Sequence, residues 1–239
     1  MQNANERFIR TEYLLGKDNM SLLEQSRVAI FGLGGVGGYA LEALVRSGVG
    51  SFVLVDFDTV SESNLNRQSL ATAYTVGMLK TEAALSRAKS INPDVSITLV
   101  SEFVSAENIE AILTAHRPSY IVDAIDTVTS KIALIKIAKA LGIPIVSSLG
   151  TGNKLCPELF TITDIKKTHT CPLARVMRKK LAEEGIESLD VLYSAEPPIK
   201  PSVQQEENGR HPPASVSFVP SVAGLMLGGH VIKKLVGIS

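Results

Sequence analysis

Short apolar runs alternate with segments of helical periodicity along the first 150 residues. The apolar runs are bounded by polar or glycine-containing turns, which is typical of buried strands. We predict these strands over Val28–Phe31, Phe52–Asp56, Ser96–Val100, Tyr120–Asp123 and Ile145–Ser148. We predict helices between them, over Gly35–Ser47, Lys80–Ser90, Ala106–Ala115 and Thr129–Leu141. This alternation predicts an α/β fold with a Rossmann-like, doubly wound, mostly parallel sheet and helices on both faces.

The pattern changes after Gly150, where we expect an extended α+β part packed on the same core. It comprises two strands and a basic amphipathic helix, over Leu159–Thr163, Val191–Tyr193 and Leu173–Glu184 respectively. The segment 196–213 is rich in Pro, Gln, Glu and Asn, and we predict a flexible, exposed loop there.

The C-terminal stretch 212–232 contains no Asp, Glu, Lys or Arg and is long enough to span a bilayer. Prolines, glycines and serines interrupt it, however, so we favour a soluble structure. We predict a strand over Ser215–Phe218, followed by a buried, glycine-rich helix over Val219–Val236.

Composition narrows the class of protein. Lys plus Arg equals Asp plus Glu at 24 each, so no net charge directs the whole chain to nucleic acid or membrane. The only cysteines, Cys156 and Cys171, form neither a CxxC pair nor a disulfide framework. Together with an N-terminus that lacks the apolar segment of a signal peptide, this favours the reducing cytoplasm.

A glycine-rich turn follows the first predicted strand and opens a helix. Its sequence is Gly32-Leu33-Gly34-Gly35-Val36-Gly37. Glycines let the backbone approach a phosphate, and the helix N-terminus presents free N–H groups. Asp56, at the end of the second strand, is placed to bind ribose hydroxyls. The alternative for Asp56 is a carboxylate that caps a turn, and the turn alone is shared with dehydrogenases.

Three polar residues after Asp56 distinguish between classes of nucleotide-binding protein. Asn64, Arg67 and Lys80 supply an amide and two cations just past the ribose carboxylate. A dehydrogenase does not need this set, whereas a protein that expels pyrophosphate from a triphosphate does, because the cations stabilise the developing charge. The alternative is structural, with Arg67 paired to Glu62 and Lys80 beginning an exposed helix.

Two carboxylates, Asp123 and Asp126, follow the fourth predicted strand three residues apart. Magnesium bound to phosphates uses one or two protein carboxylates. We assign Asp126 to Mg²⁺ and Asp123 to a structural role. The alternative for Asp126 is an N-cap of the next helix, which does not exclude metal binding.

Taken together, these motifs resemble the E1-like adenylating enzymes of the ThiF, MoeB and HesA superfamily. The resemblance implies ATP and Mg²⁺ as cofactors and the adenylation of a carboxylate, with Arg67, Lys80 and Asp126 as catalytic residues. Arg10 resembles an arginine that reaches the ATP of the other subunit, which implies a homodimer. The implied nucleotide contacts are Gly32, Gly34, Gly35, Gly37, Asp56, Asp58, Asn64, Arg67, Lys80, Asp126 and Arg10.

The sequence around Cys171 resembles the branch of this superfamily that dehydrates N6-threonylcarbamoyladenosine (t6A37) in tRNA to its cyclic form. A local group of cations fits tRNA phosphates. We name it the basic patch, and it consists of Lys166, Lys167, Arg175, Arg178, Lys179 and Lys180. The alternative is a solvated helix face balanced by Glu183 and Glu184. A covalent role for Cys171 is disfavoured, and His211 and His230 are expected to be structural or surface residues.

The resemblance therefore predicts one adenylation domain over 1–239. It has a helical arm over 1–26, a nucleotide-binding half over 27–150 and a tRNA and dimer half over 151–239. The rival with the same chemistry is an activator of a Gly-Gly-tailed sulfur-carrier protein, and a carrier or sulfur-relay protein is then the partner. Rivals of other classes are a nicotinamide-dependent dehydrogenase and a non-catalytic tRNA-binding scaffold.

Overall fold

The computed structural model describes residues 4–203 and 213–238, and its strands form one mostly parallel sheet of seven. The strands are β1 (Arg27–Phe31), β2 (Ser51–Val55), β3 (Ser96–Val100), β4 (Tyr120–Asp123), β5 (Ile145–Ser148), β6 (Phe160–Asp164) and β7 (Asp190–Ser194). Their order is β3-β2-β1-β4-β5-β7-β6, and only β6 runs antiparallel to its neighbour. The predicted doubly wound sheet is confirmed.

Helices cover both faces of this sheet. Their bounds are α1 (Ala4–Arg7), α2 (Ile9–Leu15), α3 (Lys17–Gln25), α4 (Gly37–Arg46), α5 (Lys80–Ile91), α6 (Ile109–His116), α7 (Val128–Ala140), α8 (Pro172–Glu183) and α9 (Phe218–Leu235). One core cluster lies between the sheet and α3, α4, α5 and α9, and a second lies between the sheet and α6, α7 and α8. The inner strands are therefore buried on both faces, which explains their continuous apolar runs, whereas the edge strands β3 and β6 are partly exposed.

The glycine-rich helix α9 packs closely on α4. A Cβ on Gly224 would lie 2.3 Å from the carbonyl oxygen of Val36, and one on Gly228 would lie 2.6 Å from Ala43 Cβ. Only glycine lets the two helices approach so closely, so α9 supports the start of α4, where the glycine-rich turn ends. No helix in the described part of the chain is long and apolar enough to cross a membrane.

Two predictions for the C-terminal part are wrong. Residues 213–217 form no strand, because α9 already begins at Phe218 and accommodates Pro220 in its first turn, where proline is tolerated. The exposed loop predicted from Glu196 also begins later. Glu196 is buried, and its carboxylate accepts hydrogen bonds from the backbone N–H groups of Leu155 and Cys156. Half of the predicted loop, residues 204–212 with His211, lies outside the described residues.

Candidate active site

A cavity of about 350 Å³ opens at the carboxyl ends of β1, β2 and β4. Most of the predicted nucleotide contacts line it, although they are spread over nearly 100 residues of sequence. They are Gly32, Gly34, Gly35, Asp56, Asp58, Asn64, Arg67, Lys80 and Asp126. Two predicted contacts, Gly37 and Arg10, do not line this cavity.

The glycines of the turn have different roles. Gly32 has a φ of +88°, and a Cβ there would lie 2.6 Å from the carbonyl oxygen of Ala124. A Cβ on Gly37 would lie 1.8 Å from the carbonyl oxygen of Gly32, so only glycine fits inside the turn at this position. Gly34 is open, since the nearest atom to a Cβ there is Gln68 Nε2 at 3.8 Å. Gly34 is thus the position at which a phosphate can approach the backbone.

Asp56 directly follows β2 and is 8% exposed. Its Oδ2 accepts a hydrogen bond from Leu33 N at 2.6 Å, and its Oδ1 accepts one from Asp58 N at 2.9 Å. Burial raises the pKa of Asp56, and nearby Lys80 opposes this shift. The carboxylate therefore caps the turn, as the structural alternative proposed. It also lines the cavity, so ribose binding stays a prediction.

Lys80 is buried, so the structural alternative in which it merely begins an exposed helix does not hold. It is the first residue of α5, and its Nζ lies 2.6 Å from Asp58 Oδ2. The Lys80 side chain is 8% exposed while that of Asp58 is 46% exposed. The ammonium group therefore faces the cavity from a fixed position, held by a partner that solvent can reach.

Asn64 ends a short 3-10 helix, Glu62–Asn64, and Arg67 lies in the turn that follows it. Asn64 Oδ1 accepts a hydrogen bond from Ser61 N at 3.2 Å, which completes a capping box. Arg67 Nη1 donates to the Ser63 carbonyl oxygen and to Asn66 Oδ1, both at 2.8 Å. Among the described residues Arg67 forms no ion pair, so the structural alternative in which it pairs with Glu62 is not observed, and Arg67 lines the cavity.

Asp123 and Asp126 have separate roles. Asp123 is fully buried and bonds to Lys131 Nζ at 2.7 Å and to Ser147 Oγ at 2.6 Å. Asp126 is exposed at the cavity, and α7 begins after Thr127, so Asp126 is not its N-cap. Within the described chain no group of three or more His, Cys, Asp or Glu could hold a metal. The single hard oxygen donor of Asp126 fits a magnesium ion that takes its other ligands from phosphates and water.

Two aromatic rings at the cavity rim were missed by the sequence reasoning. Phe57 and Phe103 follow β2 and β3, and each is 52% exposed. Their ring centroids lie 5.1 Å apart with an interplanar angle of 77°. Half-exposed phenyl rings beside a polar cavity form an apolar surface for a flat ligand group. Their spacing in sequence carries no signal, because only the sheet order brings β2 and β3 together.

The basic patch is not uniform. Lys167, Arg175, Lys179 and Lys180 are exposed. Lys166 Nζ pairs with Glu187 Oε2 at 3.1 Å, and Arg178 Nη1 donates to Thr168 Oγ1 and to the Thr168 carbonyl oxygen. Glu184 pairs with Lys136 of α7, so it does not balance the patch as the structural alternative proposed. The start of α8, the helix that carries most of the patch, lies near the cavity. A Cβ on Gly150 would lie 3.9 Å from Leu173 Cβ, and the next residue, Thr151, lines the cavity.

The two cysteines and His230 do not line the cavity. Cys171 is 3% exposed and belongs to the second core cluster. Desolvation and the carboxylates of Glu196 and Glu158 raise the pKa of the Cys156 thiol, so it is a poor nucleophile. His230 packs between Tyr120 and Asp190. These placements agree with the structural roles expected from the sequence.

The sheet order, the glycine turn and the convergent cations and carboxylates define a nucleotide-binding protein of the doubly wound class. The model of the ThiF family matches residues 7–239, and the chain belongs to this family. The predicted resemblance to the ThiF and MoeB superfamily is therefore confirmed.

Several relatives are similar over different lengths of the chain. The tRNA threonylcarbamoyladenosine dehydratase of Bacillus subtilis is 42% identical and covers 95% of this chain and 94% of its own. The fold is also similar to the crystal structure of E. coli tRNA N6-threonylcarbamoyladenosine dehydratase, TcdA, in complex with ATP. This match has a TM-score of 0.89 and 31% sequence identity, and it covers 98% of this chain and 95% of that chain. The molybdopterin-synthase adenylyltransferase of Escherichia coli is 36% identical over 64% of this chain and 61% of its own.

Proposed function

We propose that the protein is an ATP-dependent dehydratase that converts N6-threonylcarbamoyladenosine in tRNA to its cyclic form through an acyl-adenylate. The observation that carries this proposal is the cavity in which Arg67, Lys80 and Asp126 surround the open backbone at Gly34. The match to dehydratases over nearly the full length of both chains supports the choice of substrate.

In the first step, an oxygen of the threonyl carboxylate attacks the α-phosphorus of ATP and pyrophosphate leaves. Negative charge builds on the phosphate oxygens, and Arg67 and Lys80 stabilise it from fixed positions. Lys80 already has its partner in Asp58, so little reorganisation is needed when the nucleotide arrives. The base of ATP rests on the apolar surface of Phe57 and Phe103, and Asp56 holds the ribose.

Asp126 would hold Mg²⁺ in this account. When bound, the ion neutralises charge on the pyrophosphate and so makes it a better leaving group. The supporting observation is that the carboxylate of Asp126 is exposed beside the cavity. The nearby carboxylate of Asp123 is buried and already forms an ion pair with Lys131.

In the second step, a nitrogen or oxygen of the same modification attacks the activated carbonyl carbon. The ring closes and AMP leaves with one of the former carboxylate oxygens, so the nucleoside loses one water. The attack is intramolecular, and proximity supplies much of the acceleration. No thioester is required, which agrees with the buried position of Cys171.

The basic patch would bind the phosphates of the tRNA beside the cavity. Its exposed members, Lys167, Arg175, Lys179 and Lys180, are the candidates for direct contact. Arg178 and Lys166 already have protein partners, so we expect them to shape the surface more than to bind. A tRNA substrate also favours a cytoplasmic location.

A homodimer would complete the cavity with Arg10 of the second subunit. Arg10 lies on α2 and is exposed, and two neighbours on this short helix, Tyr13 and Leu14, are 79% and 84% exposed. An apolar surface of this kind beside Arg10, which forms no ion pair with the part of the chain that the structure describes, supports a contact with a second copy of the chain.

The closest alternative to this ligase-class dehydratase is an adenylating activator of a Gly-Gly-tailed sulfur-carrier protein, which uses the same first step. The shorter match to the molybdopterin-synthase adenylyltransferase and the absence of CxxC pairs in this sequence disfavour it. The test measures ATP–pyrophosphate exchange by the purified protein with tRNA that carries the open modification, and separately with a carrier protein. Exchange with the tRNA supports the dehydratase, and exchange with the carrier alone overturns it.

A further inference from the structure

Three arginines line a second cavity, of about 280 Å³, which we name the arginine cavity. In the described part of the chain it shares no lining residue with the active-site cavity. Its lining consists of Arg7, Phe8, Arg46, Arg87, Ser90 and Ile91. The charged residues of this lining are all cations, and a cleft lined by one sign of charge attracts ligands of the opposite sign.

The arginine cavity lies at the far ends of the two helices that begin at the active-site cavity. Helix α4 begins at Gly37 and ends at Arg46, and α5 begins at Lys80 and carries Arg87 in its last two turns. The ten residues of α4 span about 15 Å, so the two cavities are separate sites. The basic patch is remote as well, since α4 and α5 pack on one face of the sheet and α8 packs on the other.

Two carboxylates pair with these cations, but neither lines the cavity. Glu42 lies 2.8 Å from Arg46 and 2.7 Å from Arg87, and its side chain is 15% exposed. Asp94 lies 3.3 Å from Arg7 and is 73% exposed, and an ion pair so open to water contributes little. Three guanidinium groups therefore share one well-enclosed carboxylate, which leaves an excess of positive charge at the cavity.

The existing hydrogen bonds hold each guanidinium in place and leave some of its donors available. Both arginines at Glu42 donate from Nε and Nη2, and Arg7 donates from Nη1 to Asn92 Oδ1. Within residues 4–203 and 213–238, Nη1 of Arg46 and of Arg87 and Nη2 of Arg7 donate to no acceptor. Fixed guanidinium groups with free N–H donors are suited to phosphate oxygens.

A purely structural reason accounts for only part of the cluster. A cation in the last turn of a helix interacts favourably with the helix dipole, and an i,i+4 pair such as Glu42 and Arg46 stabilises a helix. These effects concern α4 alone. They do not explain why α5 and the N-terminal arm each bring a further arginine, Arg87 and Arg7, to the same cavity.

We propose that the arginine cavity binds a free phosphate compound with at least two phosphoryl groups, such as pyrophosphate. A diphosphate has oxygens at both ends and therefore offers acceptors to cations that come from three elements. The tRNA backbone is another source of phosphate groups, but the basic patch proposed for tRNA lies on the other face of the sheet. The inference does not depend on the reaction proposed for the active-site cavity.

The test uses pyrophosphate as the probe. Calorimetry measures its binding to the full-length protein with a saturating non-hydrolysable ATP analogue, which fills the active-site cavity. Arg46→Gln and Arg87→Gln each remove one guanidinium and leave Glu42 paired with the other. Arg117→Gln is the matched control, because Arg117 is an exposed arginine at the end of α6 that lines neither cavity. The melting temperature of every variant is measured as well.

We expect the wild type to bind one pyrophosphate per chain. Arg46→Gln and Arg87→Gln should bind it roughly 10- to 100-fold more weakly, as for a lost hydrogen bond to a charged group, and should melt like the wild type. Arg117→Gln should bind it like the wild type. No binding by the wild type, or equal affinity in Arg87→Gln and Arg117→Gln, overturns the proposal. If the glutamine variants do not fold, Arg87→Lys keeps the charge without the guanidinium fork, and wild-type affinity in that variant overturns it.

Filter binding with tRNA at several salt concentrations separates the two sources of phosphate. The slope of log K against log salt should be the same in Arg46→Gln, Arg87→Gln and the wild type. A smaller slope in both variants would assign the arginines to the tRNA backbone and overturn a free ligand. Loss of ATP–pyrophosphate exchange concerns the active-site cavity, so the proposed function and this inference fail in different assays.

Discussion

Asp123 Oδ2 lies 2.7 Å from Lys131 Nζ, and neither side chain has any exposed surface. Asp123 Oδ1 also accepts a hydrogen bond from Ile125 N at 3.1 Å, which is the residue just before Asp126. The buried pair therefore fixes the turn from which Asp126 reaches the cavity. It joins the end of β4 to α7, and Ser147 of β5 adds a third contact.

This arrangement predicts opposite results for two aspartates three residues apart. Asp123→Asn leaves the buried Lys131 charge uncompensated and should lower the free energy of unfolding by about 3–5 kcal/mol. Asp126→Ala removes an exposed carboxylate and should leave stability unchanged while it abolishes ATP–pyrophosphate exchange. Urea unfolding and the exchange assay on both variants measure the two effects. Full exchange activity in folded Asp126→Ala would remove the metal assignment.

The basic patch predicts a weaker and less salt-dependent interaction with tRNA in the double variant Arg175→Ala, Lys179→Ala. Each phosphate contact that is lost should reduce the slope of log K against log salt by about 1. Lys233→Ala is the control, because Lys233 is an exposed lysine of α9, on the other face of the sheet. Filter binding with tRNA at several salt concentrations, and ATP calorimetry, separate the two sites. Equal slopes in the wild type and the double variant would locate the tRNA elsewhere.

A contribution of Arg10 in trans predicts complementation between two inactive proteins. Arg10→Ala and Asp126→Ala should each be inactive as homodimers. In a mixed dimer one site receives an intact Asp126 and an intact Arg10, so a mixture of equal amounts should regain roughly a quarter of wild-type activity. Dehydration of tRNA by the re-associated mixture is the measurement. A mixture that exchanges subunits, as followed by mass, and remains inactive would exclude this role for Arg10.

We predict that the stability of the protein depends on pH through the partly buried imidazole of His230. Burial holds the pKa of His230 below its ordinary value of 6.5, with Lys234 and Lys233 acting in the same direction and Asp190 opposing them. The unfolded chain therefore takes up a proton at higher pH than the folded chain. The contribution of His230 to stability is complete above about pH 6.5 and is lost as pH falls below this value. The melting temperature of His230→Gln should fall less steeply between neutral and acidic pH than that of the wild type, and superimposable profiles would exclude the effect.

The sequence predicted the strands well because a parallel sheet covered on both faces requires continuous apolar runs. β3, β4 and β5 have the predicted bounds, and β2 ends one residue before Asp56. The short segment after Pro213 was mistaken for a strand because Ser215–Phe218 alternates polar and apolar residues. In the structure this segment is held by side chains that periodicity does not report, such as Asn153, whose Oδ1 accepts a hydrogen bond from Ala214 N.

The candidate site also combines features that the sequence pattern predicted with features that it did not. Asp56, Lys80 and Asp126 were predicted to share a site because each follows a strand or begins a helix at one edge of the sheet, and they line one cavity. The contact between the rings of Phe57 and Phe103 carried no comparable signal. It depends on burial and on strand order, which a linear pattern does not contain.

The most direct test of the account follows the carboxylate oxygen. The purified protein is given ATP, Mg²⁺ and tRNA whose threonylcarbamoyl carboxylate carries oxygen-18, and the nucleotide products are analysed by mass spectrometry. An acyl-adenylate predicts AMP that contains one labelled oxygen for each cyclic nucleoside formed, with unlabelled pyrophosphate. Labelled inorganic phosphate together with ADP, or AMP without the label, would contradict the central claim that this cavity joins a carboxylate to AMP.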